Sequence, residues 1–211
     1  VACTDAIVGG RVEGSWPALL KLKLYQLPFT GFHWIAPCDV PPGCMVCNTY
    51  EHEIAIAEYV LGAMLEREIG TVAADRKFRA YGWDGGPSRS EASHGELYGK
   101  TMGIVGYGHI GVGVVRRAHA FGMHCIAVTR TMRPVPEPLE WLESVDGLDR
   151  FLSESDYVLM ALPLSDDTHG LINATRLAGM KSDAVIVNVG RGLVIDEGAL
   201  YSALAERRIG G

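Results

Sequence analysis

The sequence predicts an α/β protein built on a doubly wound parallel sheet, and three observations carry that reading. Beyond residue 100, short apolar runs alternate with helical patterns, the rhythm of a sheet covered on both faces. Gly106-Tyr107-Gly108-His109-Ile110-Gly111 stands between one such run and a helical pattern. A β-branched run from Val185 to Val189 ends on Gly190-Arg191-Gly192. Ligands of open parallel sheets bind at that edge, where strands end.

In chain order, "LKLYQL" reads as a strand stopped by Pro28, and a second short strand falls at residues 45–47. Thr49 is placed to cap a helix over residues 51–66, with Glu51 and Glu53 in its first turn, where acids suit the helix dipole. Ile54, Ala57, Leu61 and Leu65 line one face of that helix and Ile56, Val60 and Met64 a second, the mark of a helix buried between layers or domains. Residues 82–94, "GWDGGPSRSEASH", lose apolar periodicity and read as a loop or hinge. Strands follow at 102–105, 126–128, 157–162 and 184–189, with the clearest helices at 112–121 and 198–206.

Composition sets outer bounds. The 211 residues suffice for one large or two small domains with a sizeable core, and a hydrophobic content of 48% is ordinary for a globular chain. A net charge of -6 argues against broad nucleic-acid or anionic-membrane binding, so any anion site must be local. No apolar run is long enough for a membrane span, and no basic-then-apolar leader opens the sequence; the default compartment is the cytoplasm. Five cysteines exclude a complete disulfide framework. Cys44 and Cys47 form a C-x-x-C without a second ligand pair at zinc spacing, so they read as buried, reduced thiols, and no metal is expected.

The chemistry lies in the turns. Gly106 permits a tight exit from the strand, Gly108 admits a pyrophosphate to the backbone, and Gly111 lets the helix pack close to the sheet. A dinucleotide is the expected ligand; the alternative is a structural strand-to-helix turn. An acid normally ends the following strand and holds the ribose hydroxyls, but here stand Thr129, Arg130 and Thr131, with Arg133 beyond. An acid would repel a 2′-phosphate, whereas hydroxyls and a guanidinium fork can hold one. NADP is therefore the expected cofactor, with NAD as the alternative if these are ordinary loop residues. Arg191, flanked by glycines past a strand end, suits a planar carboxylate.

The stretches "NTYEHEIAIAEYVLGAML", "LYGKTMGIVGYGHIG", "ALPLSDDTHGLIN" and "MKSDAVIVNVGRGLVIDEGAL" resemble the D-isomer-specific 2-hydroxyacid dehydrogenases, which include glyoxylate/hydroxypyruvate reductases and phosphoglycerate dehydrogenases. The resemblance implies a Rossmann cofactor domain over residues 49–211 and part of a flavodoxin-like substrate domain over 1–48, flanking a cleft. It assigns Gly106, Gly108, His109, Ile110 and Gly111 to the pyrophosphate. Leu162, Pro163 and Thr168 would border the adenosine and nicotinamide side, and Val189 and Gly190 would line the nicotinamide pocket. Arg191 matches the family's catalytic arginine, which orients the keto acid. Backbone N–H groups of Thr30, Gly31 and Phe32 would meet the substrate, in a loop where Phe29 and His33 replace the family's frequent glycine and aspartate. The family's general-acid histidine and its glutamate lie later than Gly211, and its first strand and helix lie before this chain. His52 stands nearest as a substitute acid or as helix-end packing; His33, in the substrate loop, reads as a loop residue or a ligand contact, and His169 as a loop residue.

Two functions follow as expectations. One is an NADP-preferring oxidoreductase acting on a small 2-keto or 2-hydroxy acid of the glyoxylate/hydroxypyruvate class, in a homodimer. The other is a non-catalytic dinucleotide-binding regulatory or scaffold relative. For this chain alone, an open apolar sheet edge after the last strand predicts low stability or weak nucleotide binding.

Overall fold

The computed structural model describes residues 4–10, 21–31, 35, 40–82 and 94–211. They divide into two compact units, Val1–His52 and Glu53–Gly211. Most of the 82–94 stretch and Phe32 and His33 lie outside the described residues.

The first unit holds three short parallel strands, β1 (Ala6–Val8), β2 (Leu24–Gln26) and β3 (Met45–Cys47), in that spatial order. Tyr25 and Leu27 are fully buried beneath it. Thr49 does not cap a helix. Its hydroxyl donates to Leu27 O at 2.7 Å and accepts from Gln26 Nε2 at 3.1 Å, so it is spent within the sheet. Glu51 then takes a left-handed turn (φ 72°), which delays the helix to Glu53. Cys44 and Cys47 are free thiols but only half-buried, more open than their sequence context suggests.

The second unit opens with α1 (Glu53–Ile69) and α2 (Thr71–Tyr81) and continues through β4 (Thr101–Val105), α3 (His109–Ala120), β5 (His124–Val128), β6 (Trp141–Glu143) and α4 (Leu148–Glu154). It closes with β7 (Tyr157–Met160), α5 (Ala174–Ala178), β8 (Val185–Asn188) and α6 (Glu197–Ala205). All five strands are parallel in the order β6-β5-β4-β7-β8. The winding reverses between β4 and β7, so the crevice at their carboxyl ends is a switch point where such sheets bind ligands. At the outer edge of β8, Ile186 N donates to Gly211 O at 2.9 Å, so the last residues already run beside it.

Strand alternation builds two cores. Met102, Ile104, Cys125, Ala127, Tyr157 and Leu159 face α1 and α3, whereas Val105, Ile126, Val128, Val158 and Met160 join Phe151 and Leu152 of α4. On α1, Ala57, Val60, Leu61 and Met64 are buried, but Ile54, expected on the same face, is 53% exposed. The later start of the helix places Ile54 in its open first turn. Strand β7 stops at Met160 because Leu162 and Pro163 have already left the sheet. The short elements β6, α4 and α5 and the wholly unburied α2 carried too little periodicity to be expected.

At the opposite, amino-terminal edge of the sheet, Glu68 ties α1 down. Its Oε1 accepts from Lys100 Nζ at 2.5 Å and from the Tyr157 hydroxyl. Burial pushes the Glu68 carboxyl up, but these two bonds and the charges of Lys100 and Arg67 outweigh it and hold it below the usual carboxylate range. A depressed acid contributes stability that is present above its unfolded pKa and lost as pH falls through the folded one. Glu68→Ala is therefore expected to cost about 2 kcal/mol near neutrality, from the lost charged bonds. The gap from the parent should close as pH drops below about 4. Denaturant unfolding at pH 7 and pH 3 checks this; an equal gap at both would show the ion pair to be idle.

Candidate functional site

The nucleotide site is built by the exits of β4, β5, β7 and β8. After β4, Gly106 adopts φ 96°, and a Cβ there would lie 2.6 Å from Ala161 O. Gly111 is equally constrained, since its Cβ would meet Ile104 Cγ2 at 2.9 Å. Gly108 differs: nothing lies within 4 Å of its missing Cβ. A glycine needed neither for its φ of -98° nor for close packing leaves open space above a helix N-terminus. No side chain caps the N-terminus of α3, and no acid occupies its first turn. A pyrophosphate fits this cradle by charge and by room. The side chain of Ile110 packs against the core, so its part in the cradle is its backbone.

Past β5, Thr129 N donates to Glu143 O at 3.0 Å, which holds Thr129 half-buried at the sheet edge. Arg130 and Thr131 are exposed, and Arg130 forms no hydrogen bond or ion pair among the described residues. Arg133, expected to add a second charge for a phosphate, is already engaged. Its guanidinium donates to Tyr107 O and lies 4.9 Å from the centroid of the Tyr107 ring. Carbonyl and ring face together fix its direction without neutralising its charge, so Arg133 is a tethered cation and Arg130 an untethered one.

Past β7, Leu162 and Pro163 begin a loop pinned by Thr168, whose Oγ1 donates to Pro163 O at 2.8 Å and accepts from Ser165 N at 2.7 Å. Past β8, Val189 N donates to Met160 O at 3.1 Å. A Cβ on Gly190 would stand 2.7 Å from Leu162 O, so the two exit loops touch there. Asn188 braces the turn: its Oδ1 accepts from Gly190 N at 2.9 Å and its Nδ2 donates to Arg191 O at 3.0 Å. Its spacing of two residues before Gly190 is that of an Asx turn, a signal the sequence offered. Arg191 is half-buried and extended (φ -128°), and its Nη1 donates to Gly190 O at 3.1 Å. No carboxylate pairs with it among the described residues, so its charge is available.

In the first unit, Thr30 and Gly31 follow β2. Thr30 Oγ1 donates to Thr49 O at 3.0 Å and stands 2.7 Å from His52 Nε2. The Thr30 hydroxyl joins the Thr49 carbonyl and the His52 ring in one hydrogen-bonded cluster. His52 thus serves the loop after β2, a role helix-end packing does not describe. His169 sits in the Thr168 loop, its N–H donating to Ser165 O at 2.9 Å.

A glycine cradle at a switch point, facing a guanidinium two strands away, defines a dinucleotide-binding α/β domain. The chain belongs to the D-isomer specific 2-hydroxyacid dehydrogenases: the model of that family's NAD binding domain matches residues 61–211. The glyoxylate reductase of Thermococcus kodakarensis is 45% identical over 116 residues, 55% of this chain and 34% of the relative. The D-3-phosphoglycerate dehydrogenase of Methanocaldococcus jannaschii is 36% identical over 168 residues, 79% of this chain and 31% of the relative. The chain thus spans about a third of the length of these two relatives. The D-lactate dehydrogenase of Aquifex aeolicus, solved with NAD and lactic acid, superposes with a TM-score of 0.79 at 26% identity, over 98% of this chain and 62% of that one. Among the described residues, no helix is long and apolar enough to cross a membrane.

Proposed function

We propose that this chain is the cofactor-binding part of an oxidoreductase that prefers NADP(H) and acts on a small 2-keto or 2-hydroxy acid of the glyoxylate/hydroxypyruvate class. The observation that carries the cofactor preference is Arg130, exposed and unpaired among the described residues, where an acid would select an unphosphorylated ribose. Gly106, Gly108 and the first turn of α3 would hold the pyrophosphate. Thr129, Arg130 and Thr131 would hold the ribose and its phosphate, and Leu162, Pro163, Thr168, Val189 and Gly190 would border the rest. When bound, the nicotinamide supplies or accepts the hydride. Arg191 would fix the acid through its carboxylate and carbonyl oxygens, because a guanidinium with no resident carboxylate can donate N–H groups to both. In the first unit, the loop that carries Thr30 and Gly31 would offer backbone N–H groups to a substrate.

Calorimetric titration at low salt tests the reading. The parent should bind NADPH more tightly than NADH, and Arg130→Ala should erode that preference by about 1–3 kcal/mol, the worth of a charged hydrogen bond. Equal affinities, or a preference that the substitution leaves untouched, would remove Arg130 from the pocket. Exposed Tyr59, Ile69, Val72, Phe78 and Tyr81 along α1 and α2 support a homodimer, which sedimentation would detect.

A further inference from the structure

Two arginines follow β5, and they are not in equivalent states. Arg130 is exposed and unpaired among the described residues. Arg133 reaches back across the site to Tyr107, the residue between the first two glycines of the phosphate turn. Tyr107 is 5% exposed, so its ring is a fixed platform, and the guanidinium carbon lies 4.9 Å from the ring centroid. Arg133 also precedes Pro134, which biases its backbone toward extended conformations and so presets the direction of its side chain.

We propose that Arg133 is a positioning residue that clamps the phosphate turn for either dinucleotide, while Arg130 reads the 2′-phosphate. This rests on the dinucleotide reading given above. The Tyr107 carbonyl is a partial negative charge in a turn that must receive an anion. Arg133 covers that oxygen, holds the turn against the loop after β5, and leaves positive charge beside the cradle. All three effects act on the pyrophosphate, which NAD and NADP share. A 2′-phosphate gains from Arg133 nothing that an unphosphorylated ribose lacks, whereas Arg130 distinguishes the two.

Arg133→Met keeps the aliphatic stem and removes the charge, and Arg133→Lys keeps the charge but loses the planar fork. Titrated with NADH and NADPH, Arg133→Met is expected to weaken both by about tenfold, with the ratio between them unchanged within about twofold. Arg133→Lys should fall between parent and Met. Loss confined to NADPH would make Arg133 a phosphate ligand and overturn the proposal; so would unchanged affinity for both. A second measurement needs no nucleotide: amide hydrogen exchange over residues 106–111 should quicken in Arg133→Met. Exchange identical to the parent would also overturn the clamp. Should the parent bind neither nucleotide, the dinucleotide reading falls, and the exchange comparison still decides the role of Arg133.

Discussion

Gly106→Ala is expected to abolish measurable dinucleotide binding and to destabilise the second unit by about 2–4 kcal/mol, through positive-φ strain and overpacking. The backbone at Gly106 sits at φ 96°, and the new methyl would lie 2.6 Å from Ala161 O and 3.1 Å from Leu162 Cβ. Neither neighbour is a flexible side-chain tip. The backbone after β7 must therefore move away from the turn, and the crevice between β4 and β7 changes shape. Gly108→Ala is the matching control, because its methyl meets nothing within 4 Å. That variant should melt like the parent yet bind dinucleotide poorly, since the methyl occupies the room above the α3 N-terminus. Thermal unfolding paired with calorimetry separates the two effects. A Gly106→Ala protein with parental melting and parental affinity would show that the turn is not the cradle.

Arg191→Ala is expected to lower kcat/KM for the keto acid by about a thousandfold in the active enzyme, on the order of 4 kcal/mol. Nucleotide affinity should change less than about twofold, because the proposed partner of Arg191 is the keto acid and its loop is braced independently of its guanidinium. That brace is Asn188, which bonds Gly190 N and Arg191 O through its own side chain. Arg191→Lys should recover little, since one ammonium cannot serve two oxygens in a plane. Steady-state kinetics with both reduced nucleotides, beside calorimetric titration, makes the measurement. Loss of nucleotide binding with turnover otherwise intact would make Arg191 a cofactor ligand.

Much of the second unit was legible in the sequence. The strands β4, β5, β7 and β8 are built on short apolar runs, and the turn after β4 carries its glycines at diagnostic spacing. Those features are local, set by which residues tolerate a tight turn or a doubly covered strand. The start of α1 was misread for a local reason with a distant cause. Thr49 is a good capping residue in isolation, but Leu27 and Gln26, far away in sequence, claim its hydroxyl first. Short β6 and α4 escaped because three to seven residues carry less than two helical turns of pattern.

The glycines at 106, 108 and 111, the strand–turn–helix around them and the Gly-Arg-Gly after β8 identified the family's nucleotide-binding domain from the sequence alone, because each is a contiguous pattern fixed by backbone sterics. Sequence could not rank those glycines. Only the fold places Ala161 against Gly106 and leaves Gly108 open. Nor could it separate the two arginines after β5, which look alike as charges in a loop. Tertiary structure brings Tyr107, 26 residues away, beneath Arg133 and nothing comparable beneath Arg130 among the described residues. How freely a charge can reach a ligand depends on which neighbours hold it, and neighbours across a parallel sheet are set by strand order, which no short stretch of sequence encodes.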